Sequence, residues 1–98
     1  MMYKLILMKA DYEPWWQFDD IQEKYVEELH FDHYENYAFR ALQVVQNFRQ
    51  KYQHEANRDG IFYAFWNDEE VQFCEGCDED LQVYHGVIFS HEVGVFSK

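Results

Sequence analysis

Two cysteines, three positions apart, are the residues whose type and spacing most directly suggest chemistry. Cys74 and Cys77 form a CxxC motif, and Gly76 between them lets both thiols turn toward a common point. Thiol redox chemistry needs the thiolate, which nearby cations or a helix N-terminus favour. Acidic residues surround this pair instead, and no strand and helix flank it as in thioredoxin-like proteins, so a disulfide exchanger is disfavoured. The surrounding acids are Glu75, Asp78, Glu79 and Asp80.

A bound metal ion suits acidic surroundings better, because carboxylates attract the cation and its charge keeps thiols deprotonated. Zinc takes four ligands. His85 lies eight residues after Cys77, and His30 and His33 form an HxxH pair. Neither spacing is that of a zinc finger. Three alternatives stay open: reduced thiols without a cofactor, which the sequence favours, a zinc site of two cysteines and two histidines, and a four-cysteine zinc site shared by two chains.

The segment EPWW, residues 13–16, is the second candidate site. Adjacent aromatic residues rarely both face the core, so one interpretation is that Trp15 or Trp16 reaches the surface near Tyr12 and Phe18. Such a side chain would be an anchor of the kind that dominates protein interfaces. The sequence favours the other interpretation, that both tryptophans fill the second face of a sheet, because large aromatic side chains are mostly buried.

The net charge of the chain bears on whether its partner is a nucleic acid or a protein. The 98 residues carry 8 Lys and Arg against 19 Asp and Glu, giving a formal net charge of -11. Binding along nucleic acid phosphates needs patches of cations, so such binding is disfavoured. An acidic protein can instead mimic nucleic acid and occupy the basic cleft of a DNA-binding enzyme, a hypothesis that rests here on net charge alone.

Catalytic motifs are missing from the sequence. It has no paired nucleophile and base, no glycine-rich phosphate loop and no HExxH motif. Within Met1 to Lys9, the apolar run Leu5 to Met8 is too short for the core of a signal peptide, and no small-residue cleavage site follows it. No apolar stretch approaches the length of a membrane helix. We therefore expect a cytoplasmic protein that is not an enzyme.

Alternating and helical apolar patterns define the elements that must position these residues. A helix over 33–53 is predicted from apolar residues at steps of three and four, with Asp32 as its N-cap and the cations Arg49 and Lys51 in its last turn. Pro14 is expected to open a short helical turn. Strands are predicted at Tyr3–Lys9, Tyr25–Phe31, Ile61–Trp66, Val71–Phe73, Leu81–Phe89 and Val93–Phe96, with Glu55–Gly60 as a break and Asn67–Asp68 as a hairpin turn.

This order of elements predicts a single α+β domain over residues 1–98, with a small, mostly antiparallel sheet and one long amphipathic helix packed on one face. The strands at 3–9 and 61–66 are apolar on both sides, so the second face of the sheet also needs cover. The segment around Trp15 is the favoured cover. The alternative is another chain, which would make the protein a homodimer or part of a complex.

Four segments of the sequence resemble a family of short, cytoplasmic bacterial proteins catalogued as DUF1033. They are MKADYEPWW at 8–16, FDD at 18–20, FWND at 65–68 and FCEGCDEDLQVYHG at 73–86. The similarity extends over nearly the whole chain, and the helix matches in pattern. The resemblance implies a compact one-domain protein and assigns no catalytic residue.

The leading interpretation is a regulatory or interaction module that binds a protein partner through an aromatic and acidic surface. Its expected contact residues are Trp15, Trp16, Glu75, Asp78, Glu79 and Asp80. The alternatives are a metal or thiol site at Cys74, Cys77 and His85, and mimicry of nucleic acid.

Overall fold

The computed structural model describes residues 2–74, 76 and 79–92. This part of the chain contains seven strands, one long helix and two short 3-10 helices. In chain order the elements are β1 (Met2–Ala10), 3-10 helices at Pro14–Trp16 and Ile21–Lys24, β2 (Tyr25–Phe31), α1 (Tyr34–Lys51), β3 (His54–Arg58), β4 (Phe62–Trp66), β5 (Val71–Cys74), β6 (Glu79–Gln82) and β7 (Tyr84–Glu92). The predicted strand Val93–Phe96 lies outside the described residues.

Five strands form one antiparallel sheet in the order β2-β1-β7-β4-β3. The long strands β1 and β7 lie side by side, with Leu5 opposite Phe89 and Met8 opposite Gly86. β1 is apolar on both faces because side chains from other elements cover the sheet on each side. β2 lies at one edge and exposes alternate polar side chains, as predicted. The architecture confirms the α+β class.

Helix α1 covers one face of the sheet. Its apolar stripe packs on the odd-numbered side chains of β1 and on β4 and β7, because alternate residues of a strand point to the same face. The buried residues of this core are Leu5, Tyr37, Ala41, Val44, Val45, Phe65 and Val87. Arg49 and Lys51 lie in the last turn of the helix, as predicted.

The second face is covered from within the chain, by the segment that carries the two 3-10 helices. Ile21 from this segment packs with Ile6, Met8, Ala10 and Ile88 of the central strands in a second buried cluster. This confirms the prediction of intramolecular cover. The apolar second face of the central strands therefore does not by itself require a partner chain. In the described part of the chain, no helix has the length and apolar character needed to cross a membrane.

The predicted start of the helix is one residue early, and Asp32 is not its N-cap. His33 is the N-cap residue: its backbone is extended, and its carbonyl accepts a hydrogen bond from the Tyr37 N–H at 3.2 Å. That carbonyl makes the first intrahelical bond, which defines the cap position. No side-chain cap supports it, so the start of α1 is set by packing.

Residues 54–58, predicted largely as a break, form the edge strand β3. They pair with β4 from His54 opposite Trp66 to Arg58 opposite Phe62. The polar sequence HEANR has no alternating apolar pattern, so it gave no strand signal. Asp59 and Gly60 have the positive φ angles of a hairpin turn, 59° and 71°, which creates the pairing.

A projecting two-stranded arm, residues 70–83, replaces the predicted hairpin between β4 and Val71–Phe73. β5 pairs with β6 and not with β4, and the two strands form a sheet of their own. The predicted strand Leu81–Phe89 is accordingly divided at Val83, where the chain passes from the arm into β7. At the base of the arm, Val83 N–H donates to the Glu70 carbonyl at 3.1 Å.

Candidate functional site

The two candidate sites from the sequence emerge from the same end of the main sheet. β1 ends at Ala10, which pairs with Tyr84 at the start of β7. The segment with the tryptophans follows Ala10, and the arm leaves β4 after Trp66 and returns into β7. Sheet topology therefore places the aromatic segment and the acidic arm side by side.

Pro14 seats the aromatic segment on the sheet. Its side chain is fully buried, and it packs over Gly86 in β7. A Cβ atom at position 86 would lie 2.7 Å from Met8 Cγ, closer than such atoms approach in proteins, and 3.2 Å from Pro14 Cβ, a tight contact. Gly86 therefore provides the space into which the turn docks.

The two adjacent tryptophans point to different environments, which answers the question that the sequence left open. Trp15 is half-buried against the sheet: its Nε1 is buried with no hydrogen-bond partner among the described residues, and the Arg58 guanidinium lies 4.9 Å from its ring. Trp16 is 52% exposed. Trp15 thus helps to cover the second face, while Trp16 is available at the surface.

Trp16 belongs to an aromatic platform, which we define as Tyr12, Trp16 and Phe18. The Trp16 and Phe18 rings lie 6.3 Å apart between centroids with planes within 11° of each other. Tyr12 meets Phe18 edge to face at 4.8 Å. Phe18 is 50% exposed, so half of both outer rings contacts solvent. The sequence favoured burial of both tryptophans on the second face, which is wrong for Trp16; the alternative, with one tryptophan at the surface near Tyr12 and Phe18, is the arrangement observed.

Hydrogen bonds hold the platform in place. Trp16 Nε1 donates to Glu13 Oε1 at 3.1 Å, and the Tyr12 hydroxyl donates to Asp20 Oδ1 at 2.9 Å. Gln17, which lies between Trp16 and Phe18 in the sequence, has a left-handed backbone with φ 50°. Its side-chain amide donates to the Pro14 carbonyl at 2.7 Å. Burial, together with the bond to Asp20, raises the pKa of Tyr12 to about 12. The hydroxyl therefore keeps its proton, and this bond, throughout the neutral range.

Carboxylates outnumber cations around the platform, where the Arg58 guanidinium lies over the neighbouring Trp15 ring. The segment 11–23 contains five acids and no Lys or Arg, and Lys24 approaches Asp20 only at 3.9 Å. The acids are Asp11, Glu13, Asp19, Asp20 and Glu23. Cations of a partner would be attracted to this surface, and their contact with the ring faces would add a cation–π interaction.

The acids predicted to join the tryptophans lie on the arm. Glu79 and Asp80 are exposed on β6. Glu75 and Asp78 lie outside the described residues. The sequence did not identify Glu13 and Asp20 as the groups that fix the aromatic rings, because their contacts depend on how the chain folds back between residues 12 and 20.

The metal site proposed from the sequence stays a prediction. Cys77 lies outside the described residues. Cys74 is the last residue of β5. His85 is engaged elsewhere: its Nε2 lies 2.8 Å from Glu70 Oε1, and its ring stacks on Tyr52 at 4.5 Å. Within residues 2–74, 76 and 79–92, no three metal-ligating side chains come together.

His85 instead lines an open cleft of about 510 Å³ near the end of α1. The lining residues are Lys51, Tyr52, Asn67, Glu69, Glu70 and His85. The sequence gave no signal for this cleft, since its residues come from the helix end, the base of the arm and β7.

The fold defines the class of protein as a small α+β domain with a five-stranded antiparallel sheet, a helix on one face and a projecting arm. Within this class, the chain belongs to the family described as protein of unknown function (DUF1033), which it matches over residues 2–97. No curated protein and no solved structure matches the chain.

Proposed function

We propose that the chain is a non-enzymatic module that binds a protein partner, and that the aromatic platform anchors a cationic, apolar segment of that partner. The observation that carries the proposal is the pair of stacked, half-exposed rings of Trp16 and Phe18 within a surface of carboxylates. A soluble domain has little reason to fix two large aromatic side chains in water unless they meet another molecule.

The geometry supports an interface anchor because the rings are already ordered. The bonds from Trp16 to Glu13 and from Tyr12 to Asp20 fix both ends of the platform before any partner binds. A preorganised side chain loses little conformational entropy on association, so more of its contact energy contributes to affinity. Tryptophan and tyrosine are also enriched among residues that dominate interface energetics.

The charge around the platform determines the chemistry of the partner. Five carboxylates between residues 11 and 23 repel nucleic acid and acidic proteins and attract Lys or Arg side chains. A guanidinium can stack on an aromatic face and bond to a carboxylate at the same time, which an ammonium does less well. We therefore propose an arginine-bearing segment with neighbouring apolar residues, within the cytoplasm expected from the sequence.

Selection from a library of displayed random peptides tests this proposal without knowledge of the natural partner. Peptides selected on the wild-type protein are expected to be enriched in arginine and in apolar residues. They are also expected to lose binding to the double variant Trp16→Ala, Phe18→Ala, in which the platform is removed.

Phe39→Ala is the matched control, because Phe39 is an equally exposed aromatic residue on the outer side of α1, far from the platform. Selected peptides should bind this variant as they bind the wild type. Enrichment of acidic peptides, or equal binding to the platform double variant, would refute the proposal.

A further inference from the structure

The β5–β6 arm presents an apolar surface that nothing in the described chain covers. Val71 lies opposite Gln82, and Phe73 lies opposite Asp80, so these four residues share one face of the arm. Val71 is 46% exposed and Phe73 57%. The described strands β5 and β6 pair only with each other, which leaves both outer edges of the arm without strand partners.

An isolated two-stranded ribbon is marginally stable in water, and it gains stability from a third strand or from packing on an apolar face. This arm has a secure base. The Gln82 side-chain amide donates to the Asn67 carbonyl at 2.8 Å and to the Glu70 carbonyl at 2.9 Å. These bonds fix the base of the arm between β4 and β7, while among the described residues no strand pairs with its outer edges.

Charge selects between a second copy and a different partner. Asp80 lies across from Phe73 on the apolar face, and Glu79 precedes it on β6. Between Asp59 and Ser97 the sequence contains nine acids and no Lys or Arg. Two arms placed together would bring like charges into contact at close range, whereas a basic segment would neutralise them.

We infer that the arm is a second docking element, which receives an extended, lysine- or arginine-bearing segment of a partner protein as an added strand. Apolar side chains of that segment lie beside Val71 and Phe73 on one face of the arm, and its cations contact Glu79 on the other face. Strand addition satisfies the open backbone edge and alternates apolar and charged side chains in this way. The inference rests on the proposed function in that the partner is a protein, but it requires nothing of the aromatic platform.

Amide chemical shifts of the ¹⁵N-labelled full chain, measured during titration with a synthetic peptide of alternating lysine and valine, test the inference. We expect saturable shifts at the amides of Val71, Gln72, Phe73 and Leu81. The variant Val71→Thr, Phe73→Thr keeps the side-chain charges of the arm and is expected to weaken this binding at least fivefold. A peptide of alternating glutamate and valine should leave the arm unchanged.

Val26→Thr is the matched control, because Val26 is an exposed valine on the edge strand β2 at the far side of the main sheet. It should bind the peptide with wild-type affinity. Unchanged main-sheet shifts in the arm variant verify its fold. Equal binding by both variants, or peptide shifts that leave the arm amides unchanged, would overturn the inference. Arm shifts that depend on protein concentration without peptide would also overturn it, since they indicate a second copy.

Trp16→Ala separates this inference from the proposed function. It removes the platform anchor and leaves the arm intact, so the arm shifts should persist in that variant. If Trp16→Ala abolished the arm shifts, a separate docking element at the arm would be contradicted while the platform proposal stood.

Discussion

Replacing Phe65 with alanine is expected to lower the free energy of unfolding by about 3–5 kcal/mol. Phe65 is fully buried where α1 meets the sheet, and its ring meets Phe48 edge to face at 5.3 Å and lies 6.4 Å from Tyr52. Removing the ring leaves a cavity that the helix and strands cannot fully close. A domain of this size has a total stability of about 5–15 kcal/mol, so the loss is large.

Equilibrium denaturation in urea measures this loss, with Phe39→Ala as the control. Phe39 is 64% exposed on the outer side of α1, and its replacement should change the stability by about 0.5 kcal/mol or less. A similar loss in both variants would contradict the packing of α1 described above.

Gly86→Ala is expected to lower the free energy of unfolding by about 1–3 kcal/mol and to displace the aromatic segment. The new methyl group would lie 2.7 Å from Met8 Cγ and 3.2 Å from Pro14 Cβ. Because β7 is fixed between β1 and β4, we expect Pro14 to move away from the sheet and to carry Trp15 with it. Denaturation gives the stability, and a red shift of tryptophan emission reports the greater exposure of Trp15.

Gly76→Ala provides the control for this prediction, since a Cβ atom at Gly76 would meet none of the described residues within 4 Å. It should leave both the stability and the emission unchanged. A Gly86→Ala variant with wild-type emission would show that the turn at Pro14 does not depend on the space at Gly86.

The sequence predicts elements whose apolar residues follow a regular period. The helix, β1 and β2 appear close to their observed limits because their buried residues recur every three to four or every two positions. β3 could not be predicted, since its polar sequence becomes a strand only by pairing with β4. The division between the arm and β7 depends on hydrogen bonds of Glu70 and Gln82 across the base of the arm, which have no local signature.

The candidate site shows the same limit. The sequence favoured burial of both Trp15 and Trp16, and the exposure of Trp16 could not be predicted because it depends on Pro14 docking over Gly86. The exposed apolar face of the arm depends on the register of β5 with β6, which brings Val71 and Phe73 to one side. Side-chain types thus predict the kind of surface, while strand pairing determines which residues form it.

The most direct test of the proposed function is the affinity of one selected arginine-bearing peptide, measured by isothermal titration calorimetry for the wild type, Trp16→Ala and Phe39→Ala. Loss of an interface anchor costs about 2 kcal/mol or more, which is roughly a thirtyfold loss of affinity. The proposal predicts that loss for Trp16→Ala and unchanged affinity for Phe39→Ala. Equal affinities for the two variants would contradict the aromatic platform as the binding surface.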